Sequence, residues 1–261
     1  MRISAFFVPL FAFFAGLCGF YIRLMELINV FDPDTGLPER GAALTTTLIL
    51  VTAAFLFVAF IFALRATMKH KAPYGFENAF GTDPLSYPLI FSAVGMIWLG
   101  ATVKHYFDLN AAEMFTRIDL FFIVLSAVSA ISVTLFSIEM YQDPRRKIVY
   151  ALGTIPILFM CFWLILIYRQ NATNPVILSY SYQCLAIIAS ALGFYFTSGF
   201  LYGKPAPGKA IFTYLAAVYF CFVTLADKHS ISIKLIIASF IIINLVSVSM
   251  LVRNLRWKDA E

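Results

Sequence analysis

A chain of 261 residues that is 61% apolar and only 13% charged, with a mean hydropathy of +0.86, lies outside the range of soluble globular domains. Such domains carry roughly a quarter of their residues charged. The connections between its apolar runs are too short to hold a separate core, so 1–261 is read as a single integral membrane domain. The net charge of +5 is spread over separate places and forms no basic stripe, which excludes nucleic acid as a partner.

Eight apolar runs have spanning length, at about 4–25, 43–64, 85–103, 118–140, 148–168, 175–202, 210–226 and 231–252. Each crosses a hydrocarbon core of ~30 Å at ~1.5 Å per residue. Runs such as "LILVTAAFLFVAFIFAL" show no period-two alternation and satisfy their backbone groups in lipid only as helices. The expected fold is an all-α, polytopic membrane bundle of eight transmembrane helices.

The first run opens with Arg2 and "AFFVPLFAFFAGLCGF", a pattern shared with secretory signals. No small-x-small site follows and the run continues to spanning length, so it is expected to remain as the first helix. At its far end Arg23 and Glu26 lie one turn apart on one face, while Ile22, Leu24, Met25 and Leu27 are apolar. One reading is interfacial snorkelling with a local ion pair worth a few tenths of a kcal/mol. The other is a polar pocket at the outer end of the bundle, shared with Lys104 or His105, Asp119 and Lys234. The following "DPDTG" places Asp32, Asp34 and Gly36 much as a calcium loop does, but the downstream bidentate acid is missing and the glycine comes one residue early. That stretch is read as a turn.

The second run begins with Thr45 to Thr47 and carries Thr52 at depth. The connection "RATMKHKAPYGFENAFGTDP" is marked by turn residues Pro73, Gly75, Gly81 and Pro84. In the third run Gly95 and Gly100 permit bends, and Lys104, His105 and Tyr106 stand at its outer end. The fourth starts at Asp119, for which a salt bridge to Lys234 is expected, and carries small residues Ser126, Ala130 and Thr134 at spacing four. Glu139 with "QDPRRK" reads as an anchor to anionic headgroups. Pro156 permits a bend in the fifth run. "NAT" at 171–173 fits a glycosylation sequon in a very short connection.

Gln183 lies near the start of the sixth run, whose Ala189, Gly193 and Thr197 form a second small-residue stripe. Both stripes are expected inside the bundle. Asp227, Lys228 and His229, further polar candidates at the same outer level as Lys104 and Asp119, separate the last two runs, Lys234 sits one turn into the eighth, and Asn244 lies at depth. Gln183 and Asn244 either tie helices together by hydrogen bonds or line a cavity. Cys18, Cys161, Cys184 and Cys221 fall inside helices and read as small core residues.

Counting Lys and Arg in the connections gives orientation, since basic flanks stay on the cytoplasmic side. With the N-terminus inside, twelve are cytoplasmic, five are external (Arg40, Lys104, Arg117, Arg169 and Lys228), and Arg23 and Lys234 lie just inside helix ends. Both termini are therefore expected in the cytoplasm. A weak internal echo, "IFSAVGMIWLGATVKHY" against "YLAAVYFCFVTLADKHS", each preceded by "HKAPYG" or "GKPAPG", allows a 4+4 parallel repeat of a kind used by transporters.

No charged residue falls near the middle of any run, which argues against a proton-coupled pump. GxSxG, HExxH and Walker A motifs are absent, and His70, His105 and His229 are far apart in the expected topology, so no metal or cofactor is expected. The leading function is a transport or binding module for a small uncharged, zwitterionic or lipid-like molecule. Its candidate ligand-binding residues are Arg23, Glu26, Lys104, His105, Asp119, Gln183, Lys234 and Asn244. A sensor or accessory subunit acting through a partner is the alternative, followed by a membrane enzyme with an unrecognised site. Expected partners are membrane lipids and a further membrane protein or a second copy of the chain. The short connections suit a bacterial plasma membrane.

Overall fold

The computed structural model describes residues 2–32, 37–39, 41–71, 73, 75–81, 86–113, 115–142, 147–173 and 176–257. Asp34 and Gly36 of the first turn, and Arg40, Pro84, Arg145, Arg146 and Lys258, lie outside them. Nine helices are present among the described residues: α1 (Arg2–Asn29), α2 (Ala43–Lys69), α3 (Phe76–Phe80), α4 (Ser86–Ala111), α5 (Arg117–Gln142), α6 (Lys147–Gln170), α7 (Ser181–Leu201), α8 (Pro207–Leu225) and α9 (Ile231–Asn254). All but α3 are long and apolar enough to cross a bilayer, which makes the chain a multi-pass membrane protein.

All eight expected runs are helices, and their ends differ where polar residues extend them. The third run continues to Ala111, because the polar Lys104, His105 and Asp108 follow it on helical spacing. The sixth begins at Ser181 instead of 175, and Ile177–Ser179 form a 3₁₀ turn before it. The connection after α2 is more than a turn. His70–Lys71 pair antiparallel with Arg256–Trp257, and α3 follows. Its Phe76, Ala79 and Phe80 are buried, with Phe80 edge-on to Phe200 and Phe76 to Phe136. Asn254 Nδ2 donates to the carbonyls of Ala79 and Gly81 at 3.0 and 2.7 Å, holding α3 across the end of the bundle. The strand pair sets the end of α2 and the tail after α9 at one end.

α8 is the axis of the packing. It touches α1, α2, α7 and α9, and is buried along almost its whole length. The helices α4, α5, α6 and α7 follow one another around α9, while α1 and α2 cover the other side of α8. Lipid gives helices no hydrophobic drive to associate, so close approach at small residues carries the packing. On α1 these form a seam, Ala12, Gly16, Gly19, Arg23, Glu26 and Val30, all buried at alternating spacings of four and three. A Cβ on Gly19 would lie 2.8 Å from Val223 Cγ2, and one on Gly16 would run into the Phe222 ring.

Both expected stripes lie inside. Ser126 and Ala130 are wholly buried, Ala189, Gly193 and Thr197 nearly so, and Thr134 at the end of the first stripe is half-buried. Gly95 proves to be a contact: a Cβ there would collide with Thr134 Oγ1 and lie 3.0 Å from the Ala130 carbonyl. Gly100 faces open space. The cysteines divide differently from expectation. Cys221 is buried and 3.6 Å from Ser190 Oγ, whereas Cys18 and Cys161 face outward, because each falls off its helix's packed face.

Candidate functional site

Arg23 and Glu26 are fully buried, at the end of the bundle opposite the one where the tail after α9 pairs with the end of α2. The pocket they face is filled by the protein itself. Arg23 Nε donates to Asp227 Oδ1 at 2.9 Å, Nη1 to Glu26 Oε2 at 2.8 Å, and Nη2 to the Leu178 carbonyl at 3.1 Å. Its guanidinium stacks near the rings of Phe31 and Tyr182, 5.6 and 5.3 Å from their centres. Thr45 Oγ1 donates to the second Glu26 oxygen at 2.6 Å. One arginine thus ties α1 to the turn before α7 and to the α8–α9 connection, while Glu26 ties α1 to α2. A Phe31–Pro38 bridge brackets the expected turn and sets Phe31 over the guanidinium.

The clamp holds one cation and two carboxyl groups. Asp227 is only 5% exposed, and its Oδ2 has no hydrogen-bond partner among the described residues. Burial pushes its carboxyl up to about 6, opposed by the Arg23 charge. In the same connection His229 is driven down to about 4 by burial and by Lys234, and its buried Nε2 also has no hydrogen-bond partner among the described residues.

The other candidates do not converge on this clamp. Lys104 forms an exposed ion pair with Asp108, 2.7 Å to Oδ1, within α4. His105 Nδ1 lies 3.2 Å from Ser232 Oγ, which in turn donates to Asp108 Oδ2 at 3.3 Å. Asp119 accepts from Thr116 N at 3.0 Å and from Thr116 Oγ1. The expected Asp119–Lys234 salt bridge is not formed, because this local cap already satisfies the carboxylate and Lys234 stands nearer the Asp227 connection. Thr45 and Asp108 are polar partners that the candidates lacked, while Asp227 stood among the residues expected at this level but was not assigned to the Arg23 pocket. Asp108 was signalled by its i, i+4 spacing from Lys104, whereas Asp227 is 204 residues from Arg23 and no local pattern joins them.

At depth, Asn244 Nδ2 donates to the Phe240 carbonyl of its own helix at 2.8 Å, so this amide N–H does not tie α9 to a neighbour. Asn244 lines an internal cavity with Gly193, Thr197, Ser198, Tyr214 and Ser247, of about 10 Å³, room for one water. Gln183 is buried near the start of α7 and makes no side-chain hydrogen bond to another described residue. Among the described residues no three His, Cys, Asp or Glu side chains converge to hold a metal ion.

A far larger space opens sideways. Between α2 and α7, with α8 as its floor, runs a groove of about 950 Å³. Phe60, Leu64 and Met68 project from α2 at spacing four, Leu192 and Phe196 from α7, and Phe212 rises from α8. The segment 205–207 of the "GKPAPG" motif closes its end. Gly203, at φ +68°, turns the chain out of α7 into this segment, and Pro207 opens α8 at a position where its missing N–H costs nothing. Thr67 and Thr213 supply the lining's hydroxyls and Lys209 its charge. Among the described residues no acidic side chain lines it. Compared with known proteins, the chain matches no family profile, no curated relative and no solved structure.

Proposed function

We propose that the protein is a membrane-embedded transport or binding module for a lipid-like molecule, which enters sideways from the bilayer between α2 and α7. The groove of about 950 Å³ carries this reading. Its apolar walls would leave the polar groups of a water-soluble solute without hydrogen-bond partners, and a groove between two helices of spanning length would open toward hydrocarbon. The interior supports the same choice: the cavity at Asn244 admits a single water, and the Arg23 clamp uses its own carboxylates and carbonyls in place of a ligand. The excess of Lys and Arg on the end holding both termini supports a cytoplasmic position for the closed end of the groove.

The test is a photo-crosslinking residue at Leu192 in the groove, compared with one at Phe121 on the outer face of α5. After repeated detergent exchange, irradiation at 192 should yield a lipid-mass adduct while irradiation at 121 should not. Loss of the adduct at both positions would leave only passing boundary lipid and remove the reading.

A further inference from the structure

Resting on the lipid-like reading of the groove, we infer that its ligand is an anionic phospholipid whose phosphate is held by Lys209 and Lys204 and whose chains lie along α8. The groove is amphipathic end to end. Its length is apolar, from Phe60 and Leu64 on one wall to Leu192 on the other, and its closed end carries Lys209 in the lining with Lys204 immediately before the closing segment. Both lysines are exposed, and neither ammonium has a carboxylate within ion-pairing distance among the described residues. Unpaired cations beside an apolar slot match a molecule with a negative head and hydrocarbon tails. A helix from another protein would meet the walls equally well but leave these two charges unanswered.

Position supports the same occupant. Arg65 on α2 is exposed one residue beyond Leu64, so α2 also carries a basic residue near this end. Basic residues at the cytoplasmic surface attract anionic lipid by about 1 kcal/mol each. Phosphate binding by lysine is a point-charge interaction that tolerates a mobile headgroup, which suits two flexible side chains at the rim of a groove.

Native mass spectrometry of the full chain in detergent, with dioleoyl phosphatidylglycerol or dioleoyl phosphatidylcholine added, tests this because the two lipids share their tails. The wild type should retain phosphatidylglycerol in preference. Lys204→Gln and Lys209→Gln should each weaken its retention about fivefold while leaving phosphatidylcholine unchanged. Leu64→Trp with Leu192→Trp, which fills the groove, should abolish retention of both. Equal retention of the two lipids by the wild type, with loss on filling, would overturn the headgroup inference and leave the groove reading standing. Retention undiminished by filling would overturn both. A crosslink from residue 192 to a co-purified polypeptide instead of lipid would assign the groove to a partner helix and also overturn both; being made on the otherwise wild-type chain, it needs no groove variant to fold.

Discussion

Arg23 Nε and Asp227 Oδ1 meet at 2.9 Å across 204 residues of sequence, the arginine side chain fully buried and that of the aspartate nearly so. The contact joins the end of the first membrane helix to the connection between the last two, and so holds that end of α1 against the α8–α9 axis.

Removing the arginine strands two carboxyl groups in a site sealed by Phe31 and Tyr182. Breaking a buried pair in this way costs about 3–5 kcal/mol. The exposed Lys104–Asp108 pair, of i, i+4 type, is screened by solvent and contributes little. Arg23→Ala should therefore lower the thermal unfolding midpoint in detergent strongly while Lys104→Ala leaves it almost unmoved. Equal midpoints for the two variants would mean that the clamp contributes nothing to stability.

The α8–α9 connection holds two titrating groups with opposite effects. Asp227, raised from 3.8 to about 6, binds its proton more tightly folded than unfolded, so its contribution falls as pH rises through that interval and is level above it. His229, lowered from 6.5 to about 4, is protonated more readily in the unfolded chain, so its contribution rises with pH across its interval. Arg23 and Glu26 from α1 and Lys234 from α9 act on Asp227, and Lys234 acts on His229. Between about pH 4 and 6 the two slopes oppose each other. Asp227→Asn should leave stability rising with pH and His229→Gln should leave it falling, as read by unfolding midpoints from pH 4 to 7. Slopes of the same sign in both variants would contradict the assignment.

The spans were legible because an apolar run of spanning length has no alternative to a helix in lipid. The shared face of Arg23 and Glu26 was legible for a similar reason: with every neighbour apolar, the helix had one polar direction. What occupies that direction was hidden, since Asp227 and the Leu178 carbonyl arrive from other helices and only the bundle's adjacency brings them there. The five-residue α3 is too short to show a period, and its phenylalanines gain meaning only against Phe136 and Phe200. The seam from Ala12 to Val30 was present in the spacing, but charged and small residues share it and neither class alone outlines it. The groove depends on α2 and α7 flanking α8, which no single segment records.

Orientation is tested independently of packing. With both termini cytoplasmic, reporters fused after Gly36, Pro144 and Glu261 should read outside, inside and inside, following the excess of Lys and Arg on the terminal side. An external reading at Glu261 would reverse the groove's closed end as well.

Gly95 and Gly100 sit five residues apart in the same helix and looked alike in sequence as places where α4 might bend. Their surroundings separate them. A methyl on Gly95 would press into Thr134 Oγ1 and the Ala130 carbonyl at the α4–α5 contact, where the neighbour on one side is backbone and cannot give way. Overpacking of this kind costs about 1–3 kcal/mol. Gly100 has nothing within 4 Å of the position a methyl would take, so alanine there removes only glycine's helix penalty, about 0.8–1.0 kcal/mol in its favour. Gly95→Ala should lower the unfolding midpoint and Gly100→Ala should raise it slightly. If Gly95→Ala were as stable as Gly100→Ala, α4 and α5 would not approach as closely as the Ser126–Ala130–Thr134 stripe requires, and the network in which Trp98 Nε1 donates to Ser126 Oγ at 3.0 Å would lose its geometric basis.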